Sequence, residues 1–474
     1  MRGIVGRPQV GYRASVLRRL LVTITALLLA GLVLASPAVA FSKQDGAQAM
    51  DDGVSIALTR YTPDGAAPPG GWPGVMVLHG LAGNRGSVDA IASAFATAGY
   101  SVLAYDARGH GASGGEITLA GPRETADLRA LNRVYAARPE VHDTKIGAWG
   151  ISYGGGQIWN ALAADVPFAA VEVVETWTSL YSALWPQDLA RSGIVAGFAA
   201  GIAARSPLVA GIRDDAVQSK NLGPVKALVA GRSVLPRLGG LRSITTPVYL
   251  FQGRIDFAFD ITQASQAFAG LGGPKKLYVG NFGHTPSTFP GADVQYVLAQ
   301  AVAWYDRHLK GTANGVDAAK VVIAKQGSAT GRVSLGALPK STLTSYVLPG
   351  RSVARGNALV SRRTAPLKNP VETWGMGAVH IEVSKLASYP RLVVTVLAGD
   401  KVVSHGGMKP HAGRNVVKLA DYCVYVPKGT RLRVTVGPSS PAGQIAYLGF
   451  AGSGSATIGK ITLRLETLAT PLSG

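Results

Sequence analysis

The run Gly150-Ile151-Ser152-Tyr153-Gly154-Gly155-Gly156 constrains this chain more than any other feature. It stands directly between an apolar strand-like run, residues 145–149, and a helical stretch, residues 155–164. A serine on so sharp a strand-to-helix turn needs glycine on both flanks, because the backbone is strained and a neighbouring segment approaches closely. The turn lifts the Ser152 hydroxyl clear of the sheet. It also aims the helix N-terminus, and the Tyr153 amide with it, at any negative charge that develops there.

The surroundings of this turn have a regular rhythm. Residues 75–79, 101–106, 145–149, 168–174, 248–252 and 277–280 are short, nearly continuous apolar runs, as expected of parallel strands buried on both faces. Residues 87–98, 122–137, 155–164 and 261–270 between them predict helices, the second opened by Pro122. Strict alternation predicts a doubly wound α/β sheet whose ligands gather at the carboxyl ends of its strands. Residues 177–242 interrupt the rhythm and are rich in Ala, Leu, Val and Gly, which predicts a helical lid inserted at that edge. From residue 320 to 474, short runs at 320–324, 378–383, 391–397, 415–419 and 431–436 are separated by turn residues, predicting a separate all-β sandwich.

A serine hydroxyl is a poor nucleophile unless a base takes its proton and an acid orients that base. Candidates for both follow later strands. The strand at 248–252 runs into Gly253-Arg254-Ile255-Asp256, and the strand at 277–280 into Asn281-Phe282-Gly283-His284. Of eight histidines, His284 alone has this place: His79 lies in an earlier loop, His110 in a glycine turn and His308 in the last helix of the α/β region. Asp260 competes with Asp256 for the acid role, although its position suits a helix cap. The segment His79-Gly80-Leu81-Ala82-Gly83 follows the strand at 75–79, and the Leu81 amide is the expected second oxyanion donor beside that of Tyr153. His79 is expected to hold this loop by hydrogen bonds.

Charge and composition narrow the setting. Residues 1–19 carry five arginines, residues 20–34 form a charge-free apolar run, and Ala38-Val39-Ala40 offers small residues at a cleavage spacing. That predicts a secretory signal over residues 1–40, since 15 helical residues fall short of a bilayer core of about 30 Å. Residues 41–324 hold 23 basic and 22 acidic side chains, whereas residues 325–474 hold 19 and 5, so most of the net charge of +20 sits in the C-terminal part. The single cysteine, Cys423, excludes an internal disulfide and any thiolate metal cluster. No metal or other cofactor is expected.

Three stretches together resemble the X-Pro dipeptidyl-peptidase and cocaine-esterase family of serine hydrolases. They are the segment from Tyr105 through Asp106-Ala107-Arg108-Gly109-His110-Gly111 to Gly115, the turn around Ser152, and Trp304-Tyr305-Asp306-Arg307-His308-Leu309-Lys310-Gly311. The resemblance covers about residues 50–311 and implies an α/β-hydrolase domain over 41–319 with a helical lid, joined to a C-terminal jelly-roll over 320–474. It also implies that Ser152, Asp256 and His284 form a catalytic triad and that the stretch from Asp106 to Gly115 is structural. The chain departs from the cocaine-esterase pattern in having no tyrosine between residues 79 and 86, so a backbone amide must serve there.

The expected reaction is hydrolysis of a small ester or peptide bond through an acyl-enzyme on Ser152. Trp177, Tyr181 and Trp185 at i, i+4 and i+8 would form one aromatic face of a lid helix, lining either the substrate pocket or the lid core. Release of X-Pro dipeptides would need a buried carboxylate for the substrate's α-ammonium, with Glu172, Glu175 and Asp188 as candidates. A non-catalytic envelope-binding role is the third expectation. The basic residues beyond position 320 are scattered singly, which argues against nucleic acid and for weak adhesion to an anionic cell envelope by an exported protein.

Overall fold

Apolar residues in the parallel runs alternate between two faces, and each face demands its own cover. In the computed structural model, which describes residues 39–235, 241–288, 290–448 and 452–473, these runs join one ten-stranded sheet. The signal predicted for residues 1–40 lies outside the described residues except for Val39 and Ala40. In chain order the strands are β1 (Phe41–Ala49), β2 (Ser55–Pro63), β3 (Trp72–Leu78), β4 (Ser101–Tyr105), β5 (Val141–Ile151), β6 (Ala170–Val174), β7 (Val248–Gly253), β8 (Lys275–Gly280), β9 (Val321–Ala324) and β10 (Arg332–Leu335). Their order across the sheet is β1-β2-β4-β3-β5-β6-β7-β8-β9-β10. The seven strands from β4 to β9 in that order run parallel, and antiparallel strands close both edges.

Helices cover both faces, as a doubly wound sheet requires. On one side, α1 (Asp89–Thr97) buries Ala92, Phe95 and Ala96 against Val75, Val77, Val102 and Ala104. On the other, α2 (Pro122–Ala136) and α3 (Tyr153–Leu162) bury Leu128, Leu131, Ile158 and Trp159 against Met76, Leu103, Ile146 and Ala148. The insertion between β6 and β7 is helical: α4 (Leu180–Leu184), α5 (Ser192–Ile202), α6 (Pro207–Gln218) and α7 (Leu222–Ala230). Helices α8 (Ile261–Gly270) and α9 (Val294–Leu309) complete the layers, α8 beside α2 and α3, α9 beside α1.

The segment from Asp106 to Gly115 is pinned by charge. The Asp106 carboxylate accepts from the Arg85 amide and guanidinium and from the Ala112 amide, while Arg108 is forked onto Asp127 by two hydrogen bonds of 2.8 Å. A bidentate pair of this kind fixes orientation as well as position.

Beyond β10 the chain forms an antiparallel sandwich. One sheet contains Ser341–Leu348, Ser455–Leu468, Ala378–Ala387 and Gly413–Lys418, with Ser352–Arg355 beside the second of these. The facing sheet contains Val360–Arg363, Leu432–Gly437, Leu392–Ala398 and Lys401–Met408. The boundary expected at residue 320 therefore requires correction. Residues 321–324 and 332–335 belong to the α/β sheet, because β9 pairs parallel with β8 and β10 folds back on β9. Two short apolar strands after a helix look alike in either setting; only the partner strand decides.

The sandwich also reaches into the α/β domain. Arg254, two residues before Asp256, forms a buried ion pair with Glu372 and donates to the Ala324 carbonyl at 2.6 Å. Glu372 further accepts from the Leu472 and Ser473 amides and the Ser473 hydroxyl. Burial pushes its pKa up, yet the Arg254 charge and these hydrogen bonds hold it below the usual glutamate value. Phe257 packs against His405 and Tyr422, and the Ser192 hydroxyl at the start of α5 donates to the Leu448 carbonyl at 2.8 Å. Replacing Glu372 by Gln would strand a guanidinium in the interior. Urea titration is expected to show a loss of about 3–5 kcal/mol for Glu372→Gln; a loss under about 1 kcal/mol would mean that the pair stabilises little.

Candidate active site

Strand β5 is apolar and buried from Ile146 to Trp149 and delivers the chain into a turn that only small flanking residues permit. Ser152 has φ 53° and ψ −110°, outside the regions ordinary residues adopt. A Cβ on Gly150 would sit 2.6 Å from the backbone of Gly154, and a Cβ on Gly154 would sit 2.4 Å from the Leu78 carbonyl oxygen. The strained residue is held by its own backbone: its amide donates to the Val174 carbonyl at 2.8 Å, and its carbonyl accepts from the Thr176 hydroxyl at 2.8 Å.

Three side chains from three strand ends converge there. The Ser152 hydroxyl lies 2.9 Å from His284 Nε2, and His284 Nδ1 lies 2.8 Å from Asp256 Oδ2. Asp256 is fully buried, and its second oxygen accepts the Ala258 and Phe259 amides at 2.8 and 3.0 Å. An acid accepting at Nδ1 fixes the tautomer in which Nε2 carries the lone pair and faces the serine proton. Of the two aspartates, Asp256 is the one within hydrogen-bond reach of His284. Asp260 occupies the N-cap position of α8 but makes no capping bond; its carboxylate pairs with Arg191 at 2.9 Å.

The ring of His284 lies edge-on to Phe259 and Phe198, with centroids 5.3 and 6.3 Å away. Burial disfavours its charged form, but the charge and hydrogen bond of Asp256 outweigh burial, with Glu175 adding to them, and the pKa rises to about 9. His79 does hold its loop: Nδ1 donates to the Gly80 carbonyl at 2.7 Å and Nε2 accepts the Ala107 amide at 3.0 Å. Burial, followed by the nearby His110, lowers its pKa to about 4, which keeps this tautomer neutral. Gly80 abuts Ser152, since a Cβ there would lie 3.8 Å from the serine Cβ. Leu81, Ser152 and Tyr153 together line the pocket beneath the lid. The phenol of Tyr153 points away, donating to Glu124 and accepting from the Ala120 amide, each at 2.9 Å.

The lid aromatics depart from the expected single helical face. Helix α4 spans only Leu180–Leu184, so Trp177 precedes it and Trp185 follows it. Both indoles line the pocket and are anchored by their N–H groups, Trp177 to the Arg232 carbonyl and Trp185 to that of Ala216. Tyr181 is not among the pocket-lining residues; it stacks on Trp185 and donates to Asp188 at 2.6 Å. Periodicity alone did not reveal where a five-residue helix would stop.

The three carboxylates proposed for an α-ammonium are scattered. Glu172 stands in register with Trp149 and Tyr249, on the sheet face covered by α1 and α9. Asp188 bonds Tyr181 and Lys226. Glu175, directly after β6, comes closest, with Oε2 3.8 Å from His284 Nδ1, but it sits behind the imidazole and is not among the residues lining the pocket. Burial and then the charge of Asp256 push the Glu175 pKa well above the usual glutamate value, while the nearby His284 pulls it down. Sequence reading placed Glu175 among substrate-binding candidates; its strand-end position, beside those of Ser152 and Asp256, was the available signal.

These charge states can be checked by NMR titration of the His284 imidazole. It should deprotonate well above 6.5, and Glu175→Gln should lower that value by less than Asp256→Asn does, because Asp256 makes the larger contribution. An unchanged value in Glu175→Gln would mean that Glu175 carries no charge beside the imidazole.

Comparison with known proteins bears on the same residues. Residues 52–286 match a family model described as X-Pro dipeptidyl-peptidase (S15 family). Two curated Escherichia coli proteins, described as uncharacterized 31.7 kDa proteins in a traX-finO intergenic region, are 33% identical over 112 residues. That match covers 23% of this chain and 38% of theirs. Among solved structures, a CocE/NonD family hydrolase from Staphylococcus aureus is similar with a TM-score of 0.67 and 14% identity over 90% of this chain and 94% of its own. An α-amino acid ester hydrolase is similar at 0.68 and 15%, covering 94% and 99%. An aminopeptidase from a marine sediment archaeon, Thaumarchaeota archaeon, is similar at 0.67 and 13%, again covering 94% and 99%. At such identities the structural likeness speaks for the fold.

Proposed function

Because this chain belongs to the X-Pro dipeptidyl-peptidase and cocaine-esterase family of α/β-hydrolases, we propose that it is a serine ester hydrolase acting through an acyl-enzyme on Ser152. The observation that carries the reading is the hydrogen-bonded chain from Ser152 through His284 to Asp256, set on a turn with φ 53°.

As the Ser152 oxygen attacks the ester carbonyl, its proton passes to His284 Nε2, and Asp256 stabilises the imidazolium that forms. The Tyr153 amide, at the N-terminus of α3, and the Leu81 amide receive the oxyanion. The imidazolium then returns the proton to the departing alcohol oxygen. Water, deprotonated by the same nitrogen, cleaves the acyl-enzyme and restores the serine hydroxyl.

An ester is favoured over an X-Pro peptide because, among the described residues, no carboxylate lines the pocket to hold an α-ammonium. Labelling with a fluorophosphonate should modify wild-type protein and not Ser152→Ala, with kcat for a nitrophenyl ester falling on the order of 10⁴- to 10⁶-fold in that variant. Labelling that persists in Ser152→Ala would refute the assignment. Greater turnover of an X-Pro anilide than of the ester would favour the dipeptidase.

The proposal includes export and adhesion. Export is supported by the arginines and apolar run of residues 1–34, with β1 beginning at Phe41, just past Ala40. Adhesion to an anionic envelope is supported by the surplus of 14 positive charges over residues 325–474, with Arg414, Lys418 and Lys460 exposed on one sheet of the sandwich. Co-sedimentation of the protein lacking residues 1–40 with phosphatidylglycerol vesicles should fall as salt rises and be lost on changing these three residues to Glu; binding that persists in that variant would refute it.

A further inference from the structure

Three lid helices each present an apolar stripe at helical spacing. Helix α5 offers Val195, Phe198, Ala199 and Ile202; α6 offers Val209, Ile212 and Ala216; and α7 offers Val225, Leu228 and Val229. Stripes at i, i+3, i+4 and i+7 ordinarily close on one another to make a helical core. Here they close on one another only in part and leave between them a pocket lined almost wholly by apolar side chains.

This space is continuous with the reacting atoms. Ser152, Tyr153 and Leu81 belong to its lining, as do Phe198 and Phe259, whose rings bracket His284. Trp177 and Trp185 add large apolar faces, and their only polar atoms are turned outward onto the Arg232 and Ala216 carbonyls. Among the described residues Arg213 is the one charged side chain of the lining; it is exposed and has its guanidinium 3.1 Å from Asp214, which leaves its methylene stem as the pocket surface. A ligand entering from Ser152 therefore meets hydrocarbon along the lid helices and no group that would hydrogen-bond a polar substituent.

We propose that the lid pocket is an acyl-chain site and that the substrates are esters of medium- to long-chain fatty acids, the carbonyl held at Ser152 and the chain laid beneath α5, α6 and α7. This assignment rests on the serine ester hydrolase reading and adds the substrate class. A short acyl group would leave most of the apolar wall facing water. Each further methylene buried is worth up to about fourfold in kcat/KM, until the pocket is filled.

Two measurements separate this inference from the reading beneath it. The first is kcat/KM for nitrophenyl acetate, butyrate, octanoate and laurate, in wild type and Ser152→Ala. A rise of at least roughly tenfold from acetate to octanoate that depends on Ser152 is expected. Ser152-dependent hydrolysis that peaks at acetate or butyrate would overturn the acyl-chain site alone, whereas hydrolysis indifferent to Ser152→Ala would overturn the hydrolase reading.

The second needs no turnover. cis-Parinaric acid added to Ser152→Ala should accept energy from Trp177 and Trp185 and be displaced by lauric acid. Absence of that transfer would overturn the site whatever the kinetics. Ala216→Trp, which places an indole in the cavity, should lower the octanoate-to-acetate ratio; an unchanged ratio in a folded variant would count against the site.

Discussion

The buried pair between Arg254 and Glu372 joins what sequence composition presents as two separate halves. A guanidinium and a carboxylate removed from water each lose several kcal/mol of hydration, recovered only when both are fully partnered. Glu372 is, since Leu472 and Ser473 fill its oxygens, whereas Arg254 reaches the Ala324 carbonyl as well but leaves its Nε without an acceptor; its own carbonyl accepts the Cys423 amide at 2.9 Å. Since Arg254 and Asp256 share one short loop, the geometry of the acid beside His284 depends on a residue of the sandwich. The sandwich thus supports the candidate site, and the lid, bonded to it through Ser192 and Gln187, rests on the same support.

Much of the site could be read from the sequence because its constraints are local. A serine between glycines after an apolar strand has one physical explanation, and His284 and Asp256 follow strands whose β-branched and aromatic residues mark them clearly. What was not legible depends on partners distant in the chain. Strands β9 and β10 have the composition of sandwich strands but pair with β8 and with each other. The edge strand β1 and its neighbour β2 bear many polar side chains, β1 because its edge is half exposed, and so lack the continuous apolar run that marked the buried strands. The lid aromatics fit helical spacing, yet the helix ends at Leu184 and each indole finds its own carbonyl. Glu175 carries no signal beyond its place directly after β6; its burial against Asp256 and His284 is visible only in the structure.

Charge distribution has a similar logic. The α/β region is nearly balanced, and its acids and bases are largely spent on fixing loops, as Asp106 with Arg85 and Arg108 with Asp127 illustrate. Little charge remains to face the pocket. The surplus sits on the sandwich, where strands alternate buried and exposed side chains and a lysine or arginine at an outward position costs nothing in packing.

The contacts of Glu372 have a consequence in time as well as in space. Ser152, Asp256 and His284 are all synthesised well before the residues that anchor their acid loop, and the last of those anchors, Ser473, is made long after the serine. A growing chain can therefore contain every reacting group and still lack the tie that sets Asp256 beside His284. The tie that steadies this loop is therefore completed only once residue 473 has been made, well after Ser152, Asp256 and His284.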